Sequence, residues 1–344
     1  MPTRRDFLTT LAAAAAGSAL STVTSAQTPA PRRIDIHQHF VSPSFLATLT
    51  AKNAVSPVPG FAAWKGYSPA RAVEALDRVG IGTAMLSITA PGVWFGDVQE
   101  ARKLAREMNE YAAAKMVGDY KGRFGLFAVL PLSDVPGSLQ EVEYAFDTLK
   151  ADGVGLLTSY GNAWLGDTSF APLLDELNRR KAVVYTHPTD AMCCQNLIPR
   201  VANQMLEYPT DTTRTIVSLI VSEAATRYPD IRFIFSHAGG TITAIAGRLL
   251  GAEMTADNLA RTPAANSRLF HLRRFYYDTA GSANPVNMNA LKTLVPTSQI
   301  LFGTDAPFFD GAPQVAGLQT AGFTAEELRK VERENAARLF GRAA

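Results

Sequence analysis

The sequence predicts a single α/β domain folded as a (β/α)8 TIM barrel, and three observations carry that reading. Eight short apolar, β-branched or aromatic runs of strand length alternate with helix-length segments of 3–4 spacing. No G-x-G-x-x-G turn follows the first run, which removes the main dinucleotide-binding alternative. Four of the five histidines fall at the C-terminal ends of these runs, the face on which barrel enzymes place their chemistry.

The strands are expected at 34–37, 83–88, 124–130, 153–158, 183–187, 232–237, 275–279 and 299–304. Between them, Ser68-Pro69 reads as an N-cap with proline at the first helical position, opening a helix that ends near Val79. Residues 99–120 are rich in strong helix formers. Further helices are expected at 138–150, 170–181, 213–228, 241–250, 285–294 and 324–340, the last opening on the capping box Thr324-Ala325-Glu326-Glu327. Two long connections, 40–67 after the first strand and 187–212 after the fifth, lie on the C-terminal face and have the length of lids and substrate loops.

Composition sets the outer limits. A chain of 344 residues, 47% hydrophobic, is enough to fill a barrel core. A net charge of +2 with no basic stripe argues against a nucleic-acid partner. Residues 1–31 differ in kind. Thr3-Arg4-Arg5-Asp6-Phe7-Leu8 is a twin-arginine pattern, followed by an alanine-rich apolar run and a small-residue ending at Ala26. This predicts a cleaved twin-arginine export signal, a periplasmic location and a barrel domain over 32–344. The apolar run, Leu11 to Leu20, is short of the ~20 residues that span a bilayer, so no membrane span is expected. Adjacent Cys193 and Cys194 form no disulfide framework and read as two buried thiols, with a soft metal-ligand pair as the alternative.

The histidines define the candidate site. His37 and His39 end the first strand and share a face, because strand periodicity is two. His187 ends the fifth strand, His237 the sixth, and Asp305 follows the eighth. In a closed barrel all five point to one mouth. Imidazole and carboxylate suit a borderline divalent ion, zinc first and manganese second. A catalytic ion keeps a coordination position open, so one of the five is expected to act as acid or base rather than ligand. A lone strand-end histidine is more often a structural hydrogen-bonding residue; five such groups in barrel order are not. His271, outside this pattern, is expected at the surface.

The motifs Asp35-Ile36-His37-Gln38-His39, Thr186-His187-Pro188, Ser236-His237-Ala238-Gly239-Gly240 with Gly247-Arg248, and Gly303-Thr304-Asp305-Ala306-Pro307-Phe308 resemble the amidohydrolase superfamily, in its 2-amino-3-carboxymuconate 6-semialdehyde decarboxylase branch. The tail Glu334-Asn335-Ala336-Ala337-Arg338-Leu339-Phe340 continues the likeness, which spans roughly 33–341. Residues 84–93 and 152–161 are similar in wording to 6-methylsalicylate decarboxylases. The resemblance implies an amidohydrolase-type barrel, one divalent ion and nonoxidative loss of CO₂ from an aromatic or dienoic acid. It gives His37, His39, His187 and Asp305 the ligand positions and His237 the acid/base position. Arg248 matches an arginine that reaches a neighbouring subunit's site, which implies a homodimer; the alternative is an ordinary helix-surface arginine. The fourth strand ends without the lysine or glutamate that bridges two metals in binuclear members, so a single ion is implied.

The leading expectation is a metal-dependent decarboxylase of a small aromatic hydroxy acid, with His237 or Asp305 as proton donor. The rivals are a hydrolase of a lactone, ester or amide using metal-bound hydroxide, and a non-catalytic exported metal-binding protein. Aromatic side chains near the mouth favour a ring-shaped substrate. Phe40, Trp94 and Phe308 are the chosen substrate contacts, from a wider set with Phe45, Phe61, Trp64, Trp164 and Phe309.

Overall fold

The computed structural model describes residues 33–54, 61–64 and 66–342, of 61 and 62 the backbone only. The expected export signal and the side chain of Phe61 lie outside the described residues.

Eight parallel strands follow one another in chain order: β1 (Arg33–His39), β2 (Ile81–Ser87), β3 (Phe124–Val129), β4 (Gly153–Leu157), β5 (Val183–His187), β6 (Arg232–Phe235), β7 (Tyr276–Asp278) and β8 (Ile300–Leu301). The ring closes between its ends by backbone bonds, Ile36 N–H to Phe302 O at 3.0 Å, His39 N–H to Ala306 O at 2.7 Å and Asp305 N–H to His37 O at 2.8 Å. Burial on both faces explains the near-continuous apolar runs; every residue of β3 and β4 is buried.

Two apolar layers result. Ile34, Ile36, Met85, Phe127, Val183, Tyr185, Ile234 and Leu301 form one cluster with Ala336, Ala337 and Leu339 of the terminal helix. Phe127 and Tyr185 stack inside it with ring centroids 5.2 Å apart. The larger cluster packs the sheet against the surrounding helices.

Most expected elements are found, with instructive shifts. Ser68 caps the helix Pro69–Arg78, and the capping box at Thr324 forms. The same Ser-Pro signal at Ser42-Pro43 opens a helix, Pro43–Ala51, inside what reads in sequence as a long loop. The helix after β5 starts at Asn203 rather than 213 and runs to Val221 with Pro209 in its interior. Proline cannot donate its missing N–H and usually ends a helix, so the sequence places the start beyond it. The β8 ladder stops at Leu301 because Phe302 N–H bonds to Val331 O and the chain then turns into the mouth.

Candidate metal centre and active site

Each functional side chain is delivered by a strand end. His37 and His39 leave the same face of β1, both fully buried, with their Nε2 atoms 3.1 Å apart. His187 closes β5, its ring centroid 4.5 Å from that of His39 and 5.3 Å from that of His37. Asp305 comes from the loop after β8 and returns to the mouth in a left-handed conformation, φ +64°. Its Oδ1 lies 3.0 Å from His39 Nε2 and 3.3 Å from His37 Nε2.

The outward nitrogens fix the inward ones. His37 Nδ1 bonds to Asp278 Oδ2 at 2.9 Å, His39 Nδ1 faces Ser87 O at 3.3 Å, and His187 Nδ1 bonds to Pro188 O at 2.8 Å. Assigning the protons to Nδ1, as these acceptors require, leaves every Nε2 lone pair facing inward. One donor atom from each of His37, His39, His187 and Asp305 lies within 4.8 Å of the others. Asp305 Oδ1, buried among these nitrogens, receives no aligned hydrogen bond. An orphaned carboxylate oxygen beside three imidazole lone pairs is a cation's donor set, and the cluster fits one divalent metal ion.

Electrostatics agree. Burial alone would lower His37, but the Asp278 and Asp305 carboxylates outweigh it and push it up to about 10. Burial holds His39 down, aided by the charge on His37. It holds His187 well below its ordinary value, with His39 and His37 repelling a further proton. Burial would raise Asp305, yet the neighbouring histidines keep it well below the usual carboxylate range. The two carboxylates thus keep a second proton on His37, at Nε2 beside the one on Nδ1, and this extra proton is the one a metal ion would displace.

His237 stands beside the cluster, half-buried at φ +54°, with Nδ1 on Ala280 O at 2.9 Å and Nε2 3.8 Å from Asp305 Oδ2. Left-handed backbone costs a non-glycine residue of order 1–3 kcal/mol, and His237 and Asp305 both adopt it at the mouth. Asp278 secures the first of them. Its Oδ1 accepts from His237 N–H at 2.9 Å and Ala280 N–H at 3.0 Å, while Oδ2 accepts from Tyr185 OH at 3.0 Å as well as from His37.

The structure therefore brings His37, His39, His187, His237 and Asp305 together as the sequence predicts. Sequence reasoning missed Asp278 and Tyr185, although a carboxylate ending the seventh strand was a legible signal. The aromatic candidates divide. Trp94 lines the cavity at the mouth, and Phe308 lies 5.3 Å from the His39 ring. Phe40 is 1% exposed and packs in the core between sheet and helices. Phe45 and Trp64 are likewise buried, and Trp164 donates to Asp211 Oδ1 at 2.7 Å. Arg248 stands exposed on the helix Ile242–Leu250, outside the cluster. Cys193 and Cys194 are joined to each other in a turn of the loop after β5, Cys193 exposed, instead of forming two buried thiols. His271 is 2% exposed rather than superficial, its Nε2 2.9 Å from Thr226 Oγ1 across two packed helices.

With this geometry in place, comparison with known proteins gives one answer. The amidohydrolase family description matches residues 34–342. A 6-methylsalicylic acid decarboxylase from Penicillium expansum is 36% identical over 328 residues, 90% of this chain and 96% of its own. Decarboxylase yanB from Aspergillus niger is 35% identical over 328 residues, 90% and 88% of the two chains. A dihydroxybenzoic acid decarboxylase from Polaromonas sp., solved with manganese and 2-nitroresorcinol, shares the fold with a TM-score of 0.75 at 21% identity, covering 91% of this chain and 98% of its own. The chain belongs to the amidohydrolase family, among its decarboxylases.

Proposed function

We propose that this enzyme releases CO₂ from a small ortho-hydroxybenzoic acid, 6-methylsalicylate or a near analogue, with a single zinc ion held by His37, His39, His187 and Asp305. The observation that carries this is the buried three-histidine, one-carboxylate cluster with His237 beside it, in a chain 36% identical to a 6-methylsalicylic acid decarboxylase. Manganese, present in the Polaromonas relative, is the competing ion.

When bound, the ion supplies positive charge that orients the substrate's carboxylate and hydroxyl oxygens and draws electron density from the ring. The chain does the proton work. His237 Nδ1–H is committed to Ala280 O, so Nε2 is the atom that exchanges a proton, and it faces Asp305 Oδ2. His237 takes up a proton and passes it through Asp305 to the ring carbon bearing the carboxylate. The C–C bond then breaks, its electron pair stays in the ring, aromaticity returns and CO₂ departs. Positioned proton transfer of this kind contributes about 10²–10⁴-fold. Trp94 in the cavity lining and Phe308 beside the His39 ring are the aromatic side chains offered to the substrate ring.

We also infer a homodimer in which the exposed Arg248 reaches the neighbouring subunit's site, and export through a twin-arginine signal in residues 1–31. Light scattering on the purified protein tests the first, and the N-terminal sequence of the periplasmic form tests the second. For the activity, His237→Asn is expected to keep its metal and lose CO₂ release; loss of the ion instead would reverse the assignment of roles.

A further inference from the structure

The mouth holds more room than a methyl-substituted ring requires. A cavity of about 680 Å³ opens on the side of β2, β3 and β4, where no metal ligand stands. Backbone register places it next to the strands that carry the metal centre. Leu157, in its wall, pairs in register with His187, and Ile88 follows Ser87, which pairs with His39. Its walls are largely apolar, with Ile88, Val93, Leu130, Leu132, Leu157 and Phe170 all packed from behind by the core. Half-exposed Trp94 stands at the rim. Gly155 leaves its floor open, since a Cβ there would make only ordinary contacts, 3.6 Å to Phe127 and 3.7 Å to Ile88.

At the roughly 30 Å³ that one water claims in the liquid, this volume takes on the order of twenty non-hydrogen atoms. A methylsalicylate has about half that number, and its carboxylate and hydroxyl belong at the metal rather than in the cavity. Apolar space left wet is a standing gain for any ligand that fills it. We propose that the cavity is the seat of an aliphatic chain, and that the enzyme's preferred substrates are ortho-hydroxybenzoates with a linear alkyl or alkenyl substituent of about five to eight carbons in place of methyl. The inference rests on the hydroxybenzoate reading above and names its substrate class more narrowly. Asp190 and Gln195, also in the lining, come from the loop after β5 and offer a polar end to the cavity.

The test is kcat/KM for CO₂ release by the metal-loaded protein on a series of 6-alkylsalicylates from methyl to octyl. Each methylene buried against such walls is worth roughly fourfold, so a rise of at least tenfold from methyl to hexyl is expected. A smaller rise, a flat series or a falling one, with 6-methylsalicylate still turned over, overturns the proposal and leaves the hydroxybenzoate reading standing. No CO₂ from any member of the series removes that reading too. Gly155→Val, with metal content and melting temperature as controls, is expected to lower the hexyl-to-methyl ratio at least fivefold. Val93→Phe narrows the same space from the loop after β2 and serves if the first variant does not fold. An unchanged ratio in a folded, metal-loaded variant places the chain elsewhere and overturns the proposal.

Discussion

Asp278 is the residue on which the site turns. One carboxylate orients His37, the proposed metal ligand, through Nδ1 and holds the backbone of His237, the proposed acid/base, through its N–H. Asn at 278 would present its NH₂ group either to His37 and Tyr185, inverting the His37 tautomer, or to the N–H groups of His237 and Ala280, releasing the His237 backbone. Asp278→Asn is expected to weaken metal affinity 10–100-fold, as loss of a ligand's hydrogen-bond partner typically does, and to lower kcat further. Titration with a fluorescent metal indicator beside CO₂ release separates the two effects. Tyr185→Phe removes only one of four donors to the same carboxylate, a loss of about 1.5–3 kcal/mol of stability, and should retain most activity. His39→Ala should lose the metal, and unchanged metal content would remove His39 from the ligand set. At this scale sequence legibility depends on residue type. Histidine is scarce here, so four at strand ends stand out, whereas Asp278 is one of many acidic residues until Tyr185 and His37 are seen to converge on it.

Elements deliver these residues through a few tight approaches. Gly303 lets the chain leaving β8 pass the base of His37; an added Cβ would lie 2.9 Å from the His37 Cβ and 3.2 Å from the Asp278 Cβ. Gly303→Ala is expected to displace His37 and to lower metal occupancy together with activity, with the far-ultraviolet spectrum unchanged. Asp211, fully buried on the helix Asn203–Val221, accepts from Thr158 Oγ1 at 2.5 Å, Ser159 Oγ at 2.9 Å and Trp164 Nε1 at 2.7 Å. It ties that helix to the segment that follows β4 and borders the cavity. Asp211→Ala leaves three donors without their acceptor and, at about 1–3 kcal/mol each, should destabilise by at least about 3 kcal/mol, read as a lower melting temperature. Strands are legible because burial on both faces demands apolar runs, and β5 is found at its expected limits. Where helices begin is less so, since Pro209 lies inside a helix where proline ordinarily marks an end. Its carbonyl accepts from Thr213 Oγ1 at 3.0 Å and from Thr241 N–H at 3.4 Å.

For the molecule as a whole, metal, protons and stability are linked. His37 in the metal-free protein holds its proton up to about 10, and a metal ion must displace it. Metal affinity should therefore rise with pH, by about tenfold per unit between roughly pH 6 and 9, with one proton released per ion. The sign for stability is opposite in the metal-free form. A histidine whose value is raised from 6.5 to about 10 contributes its full stabilisation below pH 6.5 and loses it as pH rises towards 10. Added metal should thus raise the melting temperature more at pH 8.5 than at pH 6.5, because a ligand that binds only the folded state stabilises by its affinity. Differential scanning fluorimetry across that range checks both slopes. The barrel and its metal centre were legible because both follow from strand ends and periodicity. The cavity was not, since its wall joins β4 to the segments that follow β2, β3, β4 and β5, which only the closed ring brings together.

The measurement that bears most directly on the central claim is CO₂ release from 6-methylsalicylate by metal-quantified protein, before and after chelation and after zinc or manganese is restored. Release that stops on chelation, returns with stoichiometric metal and is absent in His39→Ala is the predicted result. Full release from the chelated protein, or none from protein carrying one ion per chain, would contradict it.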